Sequence, residues 1–299
     1  MIEIRSVTKM FDKFEALKDL TCVIQKGSVY GLVGSNGAGK STLLRLISGV
    51  YKPDSGEVIA DGRITYENPD IKGKIFFVSD TPFFFHQATV FSMSNFYCGI
   101  YPNYSKTRFN ELSQVFPIDI KQRIGTMSKG MQRQAALMLG LACCPEYLLL
   151  DEAFDGLDPV IRQVVKRMIS STVSNNKTTA IIASHNLREL EDLCDSVGLL
   201  HKGGIIFEGE LDAVKMGVLK IQMAFENVPD MSVFDSLRVM KFEQKGSLVS
   251  MSIKGDPEET MEKLRMLNPI FLEALPLTLE EVFIQELEVA GYDINKFLQ

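Results

Sequence analysis

Two kinds of hydrophobic pattern alternate along the first two-thirds of the chain. Short unbroken apolar runs at 29–33, 147–150 and 180–183 are typical of strands buried on both faces, as in a parallel sheet. Apolar positions at helical spacing appear at 42–47 and again between Ala135 and Leu139. This alternation of buried strands and amphipathic helices predicts an α/β domain.

The pattern changes after about residue 213. Residues 220–225, 239–242 and 248–253 alternate as strands do, and the last two flank a turn signal at 244–247. A helix is predicted to open at Asp256-Pro257 and to be followed by a strand at 269–275. A capping box at 278–281 predicts a closing helix through Leu287. We therefore predict domains at 1–213 and 214–299, the second a small α+β accessory unit, with a ferredoxin-like fold as the candidate. Its role is open between dimerisation or regulation and a stabilising appendage.

A glycine-rich loop follows the first buried strand. Residues 34–42 read GSNGAGKST and fit G-x-x-x-x-G-K-[ST] between a strand and a helix. The glycines let the backbone curl so that its N–H groups converge on a polyanion. Lys40 supplies a charge for the β- and γ-phosphates, and the Ser41 hydroxyl a ligand for Mg²⁺. The loop predicts nucleoside triphosphate binding. The predicted contacts are Gly34, Ser35, Asn36, Gly37, Ala38, Gly39, Lys40, Ser41 and Thr42.

A second constellation of polar residues ends the apolar run at 147–150. Asp151 and Glu152 follow it directly, at the end of a predicted parallel strand, where ligands bind in such sheets. Asp151 is placed to hold Mg²⁺, directly or through water, and Glu152 to orient or deprotonate the water that attacks the γ-phosphate. The pair predicts hydrolysis in addition to binding.

Three further motifs complete a characteristic order. Residues 127–133, MSKGMQR, open a helix whose free N–H groups at Ser128 and Gly130 favour an anion. Residues 156–159, GLDP, form a tight turn after the acidic pair, and the strand at 180–183 leads to Ser184 and His185. With phosphate loop, signature, acidic strand, turn and histidine in this order, roughly residues 2–213 resemble an ATP-binding-cassette (ABC) ATPase.

The resemblance implies a fold and a role for each matching residue. The fold would be that of a P-loop NTPase, a mixed sheet with a helical subdomain at about 85–145. The loop would bind ATP and Mg²⁺, with Glu152 as the catalytic carboxylate and His185 supporting the γ-phosphate. Ser128 and Gly130 would contact the ATP held by a second subunit, which implies a homodimer or a heterodimer with a paralogue. Phe11 would stack on adenine.

Departures from the common motifs refine the resemblance. The signature reads SKGM, and the loop that usually carries a glutamine near Mg²⁺ reads VSDTP at 78–82, with Asp80 at the glutamine position. A carboxylate can ligate Mg²⁺ or hold water, but it donates no hydrogen bond when ionised. Both features resemble the ABC-2-type branch, which exports drugs, antimicrobial peptides and polysaccharides in bacteria. Asp80 is therefore a candidate catalytic and metal residue.

The composition of the chain limits which membrane, secretion and binding properties are expected. The chain has 299 residues, of which 45% are hydrophobic, and its longest apolar stretch, 135–144, is too short to span a bilayer. No signal peptide is expected, and five cysteines without C-x-x-C spacing predict reduced thiols. A net charge of −6 gives no basic field for nucleic acid, so no nucleic-acid partner is expected.

The resemblance also implies partners and a place in the cell. The expected function is the ATPase subunit of a bacterial exporter, cytoplasmic and held at the inner face of the membrane by a separate permease. Ten aromatic residues between Phe76 and Tyr104 begin the helical subdomain. Most are expected in the core and a minority in an exposed groove for that partner. The alternatives are an ABC ATPase that acts on ribosomes or DNA, or a nucleotide-sensing regulator.

Overall fold

The apolar runs at 29–33, 147–150 and 180–183 become neighbouring strands of one sheet in the first part of the chain. The computed structural model describes residues 1–211, 218–275, 278–281 and 283. The chain divides into two compact units, Met1–Glu208 and a second that begins at Gly209. The first unit contains ten strands: β1 Ile2–Phe11, β2 Phe14–Ile24, β3 Val29–Val33, β4 Ser55–Ala60, β5 Arg63–Ile64, β6 Ile75–Val78, β7 Tyr147–Asp151, β8 Thr179–Ser184, β9 Ser196–His201 and β10 Gly204–Glu210.

The strands pair in two different ways. Strands β2-β1-β4-β5 form an antiparallel sheet, and β10-β9-β3-β8-β7-β6 form a six-stranded sheet in which β3, β6, β7, β8 and β9 run parallel. Every residue of β3, β7 and β8 is buried, which explains their unbroken apolar sequences. The predicted α/β class and mixed sheet core are confirmed.

Seven helices connect these strands. They are α1 Lys40–Ile47, α2 Pro69–Lys72, α3 Val90–Cys98, α4 Lys106–Val115, α5 Lys129–Ala142, α6 Pro159–Asn176 and α7 Leu187–Glu191. Polar side chains fix where several begin, because a side-chain oxygen satisfies an otherwise free N–H of the first turn. Thr89 forms a capping box with Ser92, and Ser128 and Asp158 cap α5 and α6. No helix of the described residues combines the length and the apolar character needed to cross a bilayer.

The main core of the first unit lies between its two sheets. Helix α1 contacts β2, β4 and β7 and buries Leu43, Leu44 and Ile47 among residues of both sheets. At about 25 cal/mol per Å², each such side chain contributes about 1.5–3 kcal/mol on burial. The packing fixes α1, and with it the loop that precedes α1, against the ends of the parallel strands.

A charged cluster ties the first residue to this core. Asp61 accepts a hydrogen bond from the Tyr147 hydroxyl at 2.7 Å and pairs with the N-terminal ammonium at 3.2 Å and Lys26 at 3.3 Å. Burial opposes ionisation of Asp61, but these donors outweigh it and lower the pKa of its carboxyl to about 2. The cluster therefore stabilises the fold above the pH at which Asp61 takes up a proton.

The second unit has an antiparallel sheet of four strands. Strands β11 Val218–Ala224, β12 Val239–Lys245, β13 Leu248–Lys254 and β14 Phe271–Leu275 lie in the order β12-β13-β11-β14. Every pair is antiparallel, and helix α8 Pro257–Arg265 joins β13 to β14. This is the strand order of a ferredoxin-like unit, with a 3₁₀ turn at Met231–Phe234 in place of the first helix.

The predicted elements of this unit can be compared with the structure as far as it is described. The hairpin turns at Gly246, and Asp256 caps α8 through the Glu259 N–H. Thr278 and Glu281 exchange the two hydrogen bonds of the predicted capping box. The rest of the predicted closing helix, through Leu287, lies outside the described residues.

Candidate active site

The phosphate loop connects β3 to α1 with its amides unoccupied by side chains. Gly39 precedes α1 with φ 112°, and neither a side-chain cap nor an acidic residue lies at this helix end. A Cβ at Gly39 would stand 2.7 Å from the Ala16 carbonyl oxygen, so only glycine fits there. The free N–H groups and the helix dipole leave this end suited to an anion.

Lys40 curls back over its own loop. Its Nζ donates to the carbonyl oxygens of Gly34 at 2.5 Å and Ser35 at 3.3 Å, and it lies 3.3 Å from Oε1 of Glu152. The Lys40 side chain is 6% exposed and that of Glu152 15%. The ammonium is therefore held inside the loop by partners that a phosphate oxygen could replace.

Glu152 links the loop to His185. Its Oε2 lies 2.9 Å from Nδ1 of His185 and accepts a hydrogen bond from the His185 N–H at 3.3 Å. Strands β7 and β8 pair in parallel, with Asp151 opposite Ala183, so their carboxyl ends bring these two residues together. Glu152 has φ 47°, which turns its side chain out of the strand direction towards Lys40 and His185.

Asp151 has the properties expected of a cation ligand. Its side chain is fully buried, and neither carboxylate oxygen has a hydrogen-bond partner within normal distance among the described residues. Burial raises the pKa of Asp151, an effect that the nearby Ser41 hydroxyl opposes and the Asp80 carboxylate reinforces. An unsatisfied buried carboxylate beside a hydroxyl fits a divalent cation, which would supply the missing counter-charge.

An open cavity of ≈ 300 Å³ lies over the loop. Its lining comprises Phe14, Ala16, seven residues of the loop between Ser35 and Thr42, Asp80 and Glu152. Asp80 is half exposed, and its carboxylate lies 3.5 Å from the Arg45 guanidinium. The structure thus brings the phosphate loop, Glu152 and Asp80 to one cavity, with Asp151 buried close to Asp80 and Ser41.

The signature residues occupy a different surface. Ser128 Oγ caps α5 by accepting from the Met131 N–H at 3.2 Å, and Ser128 is exposed. A Cβ at Gly130 would stand 2.6 Å from the Gly156 carbonyl oxygen, so α5 packs directly on the turn after the acidic pair. Neither signature residue is among the described residues that line the cavity. This exposed helix end is free to meet a ligand held by another subunit.

Two residues that sequence reasoning missed lie beside the predicted ones. Phe14 lines the cavity, whereas Phe11 does not appear among its described lining residues. One carboxylate oxygen of Asp155, one of Glu152 and one ring nitrogen of His185 all lie within 4.8 Å of one another. Phe14 could have been noticed as the second aromatic of the same hairpin, and Asp155 as the acid inside the turn that follows the acidic pair.

Arg133 joins three of the motifs. From helix α5 its guanidinium donates to the carbonyl oxygens of Asp80 and Asp155. The signature helix, the Asp80 loop and the turn after Glu152 are therefore tied at one point. No local sequence pattern indicates this contact, because it joins Arg133 to residues that lie 53 and 22 positions away.

The geometry defines the class of protein. A phosphate loop between a parallel strand and a helix, with a buried aspartate at the end of another parallel strand beside the loop's serine, is the arrangement of a P-loop nucleoside triphosphatase. The exposed start of the signature helix and the histidine hydrogen-bonded to the second acid add the features that distinguish one family within that class.

Comparison with known proteins identifies the family. A family model described as ABC transporter matches residues 17–155. The chain is 34% identical over 284 residues to the ABC transporter ATP-binding protein YtrB of Bacillus subtilis (strain 168), covering 95% of this chain and 97% of the relative. It is 30% identical over 218 residues to the bacitracin transport ATP-binding protein BcrA of Bacillus licheniformis, covering 72% and 71%. The chain belongs to the ABC transporter family as an ATP-binding, ATP-hydrolysing subunit.

A solved structure agrees on the fold. The first two-thirds of the chain are similar to the ATP-binding cassette MJ0796, solved as a dimer in a post-hydrolysis state bound to ADP and Pi. The TM-score is 0.64 at 21% identity, covering 71% of this chain and 99% of the cassette. The likeness confirms the predicted cassette fold.

Proposed function

We propose that this chain is the ATPase subunit of an ABC-2-type bacterial exporter and acts on a separate membrane permease. The observation that carries the proposal is the position of Glu152, whose two oxygens contact Lys40 and His185 at the edge of the phosphate cavity. A carboxylate between the phosphate-binding lysine and the switch histidine is placed to act on water at the γ-phosphate. The relative named for bacitracin transport supports a role in export.

The proposed reaction begins with an exchange of partners at Lys40. Its ammonium leaves the carbonyl oxygens of Gly34 and Ser35 for the β- and γ-phosphate oxygens of ATP. The negative γ-phosphate and Glu152 repel each other, so Glu152 separates from Lys40 and takes up a water molecule. Glu152 then accepts a proton from that water as the water oxygen bonds to the γ-phosphorus. The bond from this phosphorus to the oxygen that bridges the β- and γ-phosphates breaks, ADP leaves with that oxygen, and His185 supports the γ-phosphate.

Mg²⁺ fits the residues below the cavity. Ser41 and the buried Asp151 would hold it, with Asp80 near enough to act through water. When bound, the ion would neutralise charge on the β- and γ-phosphate oxygens. The Asp151 carboxylate is buried with no hydrogen-bond partner within normal distance among the described residues, so its ionised form needs a counter-charge such as this ion would supply.

The proposed working unit is a head-to-tail dimer. Ser128 and Gly130 stand at the exposed start of α5, away from the cavity of their own chain. Free N–H groups at a helix start, with Lys129 beside them, fit the γ-phosphate held by a second subunit. The second subunit would be another copy of this chain or a paralogue, and hydrolysis would release the pair.

An apolar groove provides a docking surface for the permease. The groove, ≈ 540 Å³ in volume, is lined by residues 82–87 and 123–126 with Gln132. Phe83 is 80% exposed and Phe85 49%, whereas Phe76 is buried. Exposed aromatics around a groove are typical of interaction sites. Because the groove adjoins the Asp80 loop, a permease bound there, at the inner face of the membrane, would contact the nucleotide site through that loop.

The first experiment tests hydrolysis and dimerisation together. Purified protein is assayed for Mg²⁺-dependent phosphate release, and Glu152→Gln is examined by size exclusion with ATP. We expect wild type to hydrolyse ATP and the variant to elute earlier only when ATP and Mg²⁺ are present. A wild-type protein that binds ATP without releasing phosphate would contradict the ATPase assignment, and an unshifted Glu152→Gln profile would contradict the dimer.

The second experiment tests the groove. The polytopic membrane protein encoded beside this chain is co-expressed with it and extracted in detergent. The double variant Phe83→Ala/Phe85→Ala should lose co-purification, while Ile64→Ala, an equally exposed apolar change on β5, should retain it. Retention by the groove variant would argue against the groove as the docking surface, and absence of such a neighbouring gene would argue against export. The transport proteins among the relatives do not favour the ribosomal, DNA or regulatory alternatives.

A further inference from the structure

The four-stranded sheet of the second unit has an apolar face and a polar face. Side chains alternate between the two faces along each strand. Ile221, Met223 and Val249 are buried in the core of this unit, on the apolar face. A cavity of ≈ 220 Å³ lies on the polar face. Its described lining residues are Lys220, Gln222, Lys241, Glu243, Lys245, Leu248, Ser250, Met251, Ser252 and Glu281.

Two small serines on the central strand β13 form the floor of this cavity. In the strand register Ser252 lies between Lys220 of β11 and Lys241 of β12. Ser250, two residues earlier, is flanked in the same way by longer residues of both strands. Directly opposite side chains have Cβ atoms about 4.5–5.5 Å apart, so long side chains rise on both sides of the short ones. The sequence of these three strands therefore builds a hollow here.

The Ser252 hydroxyl is a polar group that the fold leaves available to a ligand. Ser252 is 7% exposed and lines the cavity, and its hydroxyl makes no hydrogen bond to another described residue. Most buried polar side chains have such a partner, because an unmade hydrogen bond away from water is costly. The cavity is the side from which a partner can approach this hydroxyl.

The rim of the cavity carries more positive than negative charge. Lys220 pairs with Glu281 at 2.5 Å, and Lys241 pairs with Glu243 at 2.8 Å. Lys245 has no ion-pair partner among the described residues, so its ammonium is left without a counter-charge. The hydrogen bond from Lys241 lowers the pKa of Glu243, and the charges of Lys245 and Lys220 add to that effect. The three ammonium groups therefore act on one region.

We propose that this cavity binds a small molecule that carries a phosphate or a carboxylate group. An oxyanion would accept a hydrogen bond from the Ser252 hydroxyl between the ammonium groups of Lys220 and Lys241. Lys245 would supply the charge that the two glutamates leave unmatched. The volume is below the roughly 300–1,000 Å³ of pockets for drug-sized ligands, so the ligand is small. The second unit is then a ligand-binding unit and not only a stabilising appendage.

Serine amides report on this cavity and on the phosphate loop separately. The full chain is labelled with ¹⁵N-serine and titrated in turn with inorganic phosphate, malonate and choline. These probes are a phosphate, a dicarboxylate and a cation, so they separate the two possible anionic groups from a positively charged molecule. At least one of the two anions should shift the Ser250 and Ser252 resonances to saturation, and choline should not. Ser35 and Ser41 report on the phosphate loop in the same spectra.

A double variant tests the positive rim. Lys241→Ala/Lys245→Ala removes two exposed ammonium groups and should raise the dissociation constant for the bound anion by about 5- to 30-fold, as expected for two exposed charge contacts. Lys263→Ala/Arg265→Ala is the matched control. It removes two exposed positive charges from α8, outside the described lining of the cavity. This control should bind the anion as wild type does, and the dispersion of the serine resonances shows whether each variant is folded.

The results that would overturn the proposal differ from those that bear on the nucleotide site. Absence of a saturable shift at Ser250 and Ser252 with both anions would overturn it, even where Ser35 and Ser41 respond. Equal weakening of binding in the two double variants would also overturn it, because the effect would then come from net charge alone. All described lining residues of the cavity belong to the second unit, so a phosphate loop that fails to bind ATP leaves this proposal standing.

Discussion

Replacing Lys40 by alanine is the most direct perturbation of the phosphate loop. A charge-assisted hydrogen bond of this kind contributes about 1.5–3 kcal/mol, or about 10- to 150-fold in affinity. In the structure, however, Lys40 Nζ already has three oxygen partners, on Gly34, Ser35 and Glu152. When ATP binds, phosphate oxygens replace these partners of Lys40, and the number of its contacts does not increase. We therefore expect Lys40→Ala to fall in the lower part of the range, with about 10- to 30-fold weaker ATP binding.

The assay is calorimetric titration with ATP and Mg²⁺, with thermal unfolding to show that the variant is folded. Lys52→Ala is the control, because Lys52 is a lysine of the same unit whose Nζ contacts only the Tyr66 ring, at 6.0 Å, among the described contacts. Its affinity for ATP should equal that of wild type. A folded Lys40→Ala protein that binds ATP as tightly as wild type would refute the reasoning, because the ammonium would then have no role at the phosphates.

Four further predictions follow from the site and the core. Glu152→Gln should bind ATP yet lose turnover by at least about 10²-fold in a phosphate-release assay, and near-normal turnover would make Asp80 the next candidate base. Asp80→Ala should lower turnover much more than ATP affinity, and Asp80→Gln should keep part of the activity; if both match wild type, Asp80 is only a solvated turn residue. Arg133→Met should lower kcat more than it changes KM, because it removes the hydrogen bonds to the Asp80 and Asp155 carbonyl oxygens. Arg133→Lys should have an intermediate kcat, and an unchanged kcat in Arg133→Met would refute this coupling. Asp61→Asn should reduce the free energy of unfolding in urea by about 2 kcal/mol at pH 7, because a folded-state pKa of about 2 lies below the ordinary value. That difference should shrink as the pH falls from about 4 towards 2, and a difference independent of pH would contradict the assigned pKa.

The local elements of this fold were accessible from the sequence. Strand β3, the phosphate loop and α1 follow from an apolar run, a glycine pattern and helical spacing within twenty residues. Thr89 and Ser128 start helices where capping chemistry predicts. These features could be predicted because their causes, backbone sterics and first-turn hydrogen bonds, act between neighbours in the chain.

The relations between motifs needed the tertiary structure. The contact of Glu152 with His185 depends on the parallel register of β7 and β8 across 33 residues. The bridge made by Arg133 depends on how α5 packs against two loops. Neither register nor packing is encoded by a local pattern, because each results from many weak contacts between distant segments.

The two phenylalanines of the β1–β2 hairpin, Phe11 and Phe14, also show the difference between what the sequence predicts and what only the tertiary structure reveals. The sequence alone placed aromatic residues near the phosphate loop, and family motifs pointed to Phe11. Only the fold shows that the Phe11 ring contacts Tyr51 and Lys9 while Phe14 lines the cavity. The sequence by itself determined which chemical groups the site contains, since those belong to residue types. The tertiary structure decided which of these groups are accessible to a ligand, because accessibility depends on neighbours that are distant in the sequence.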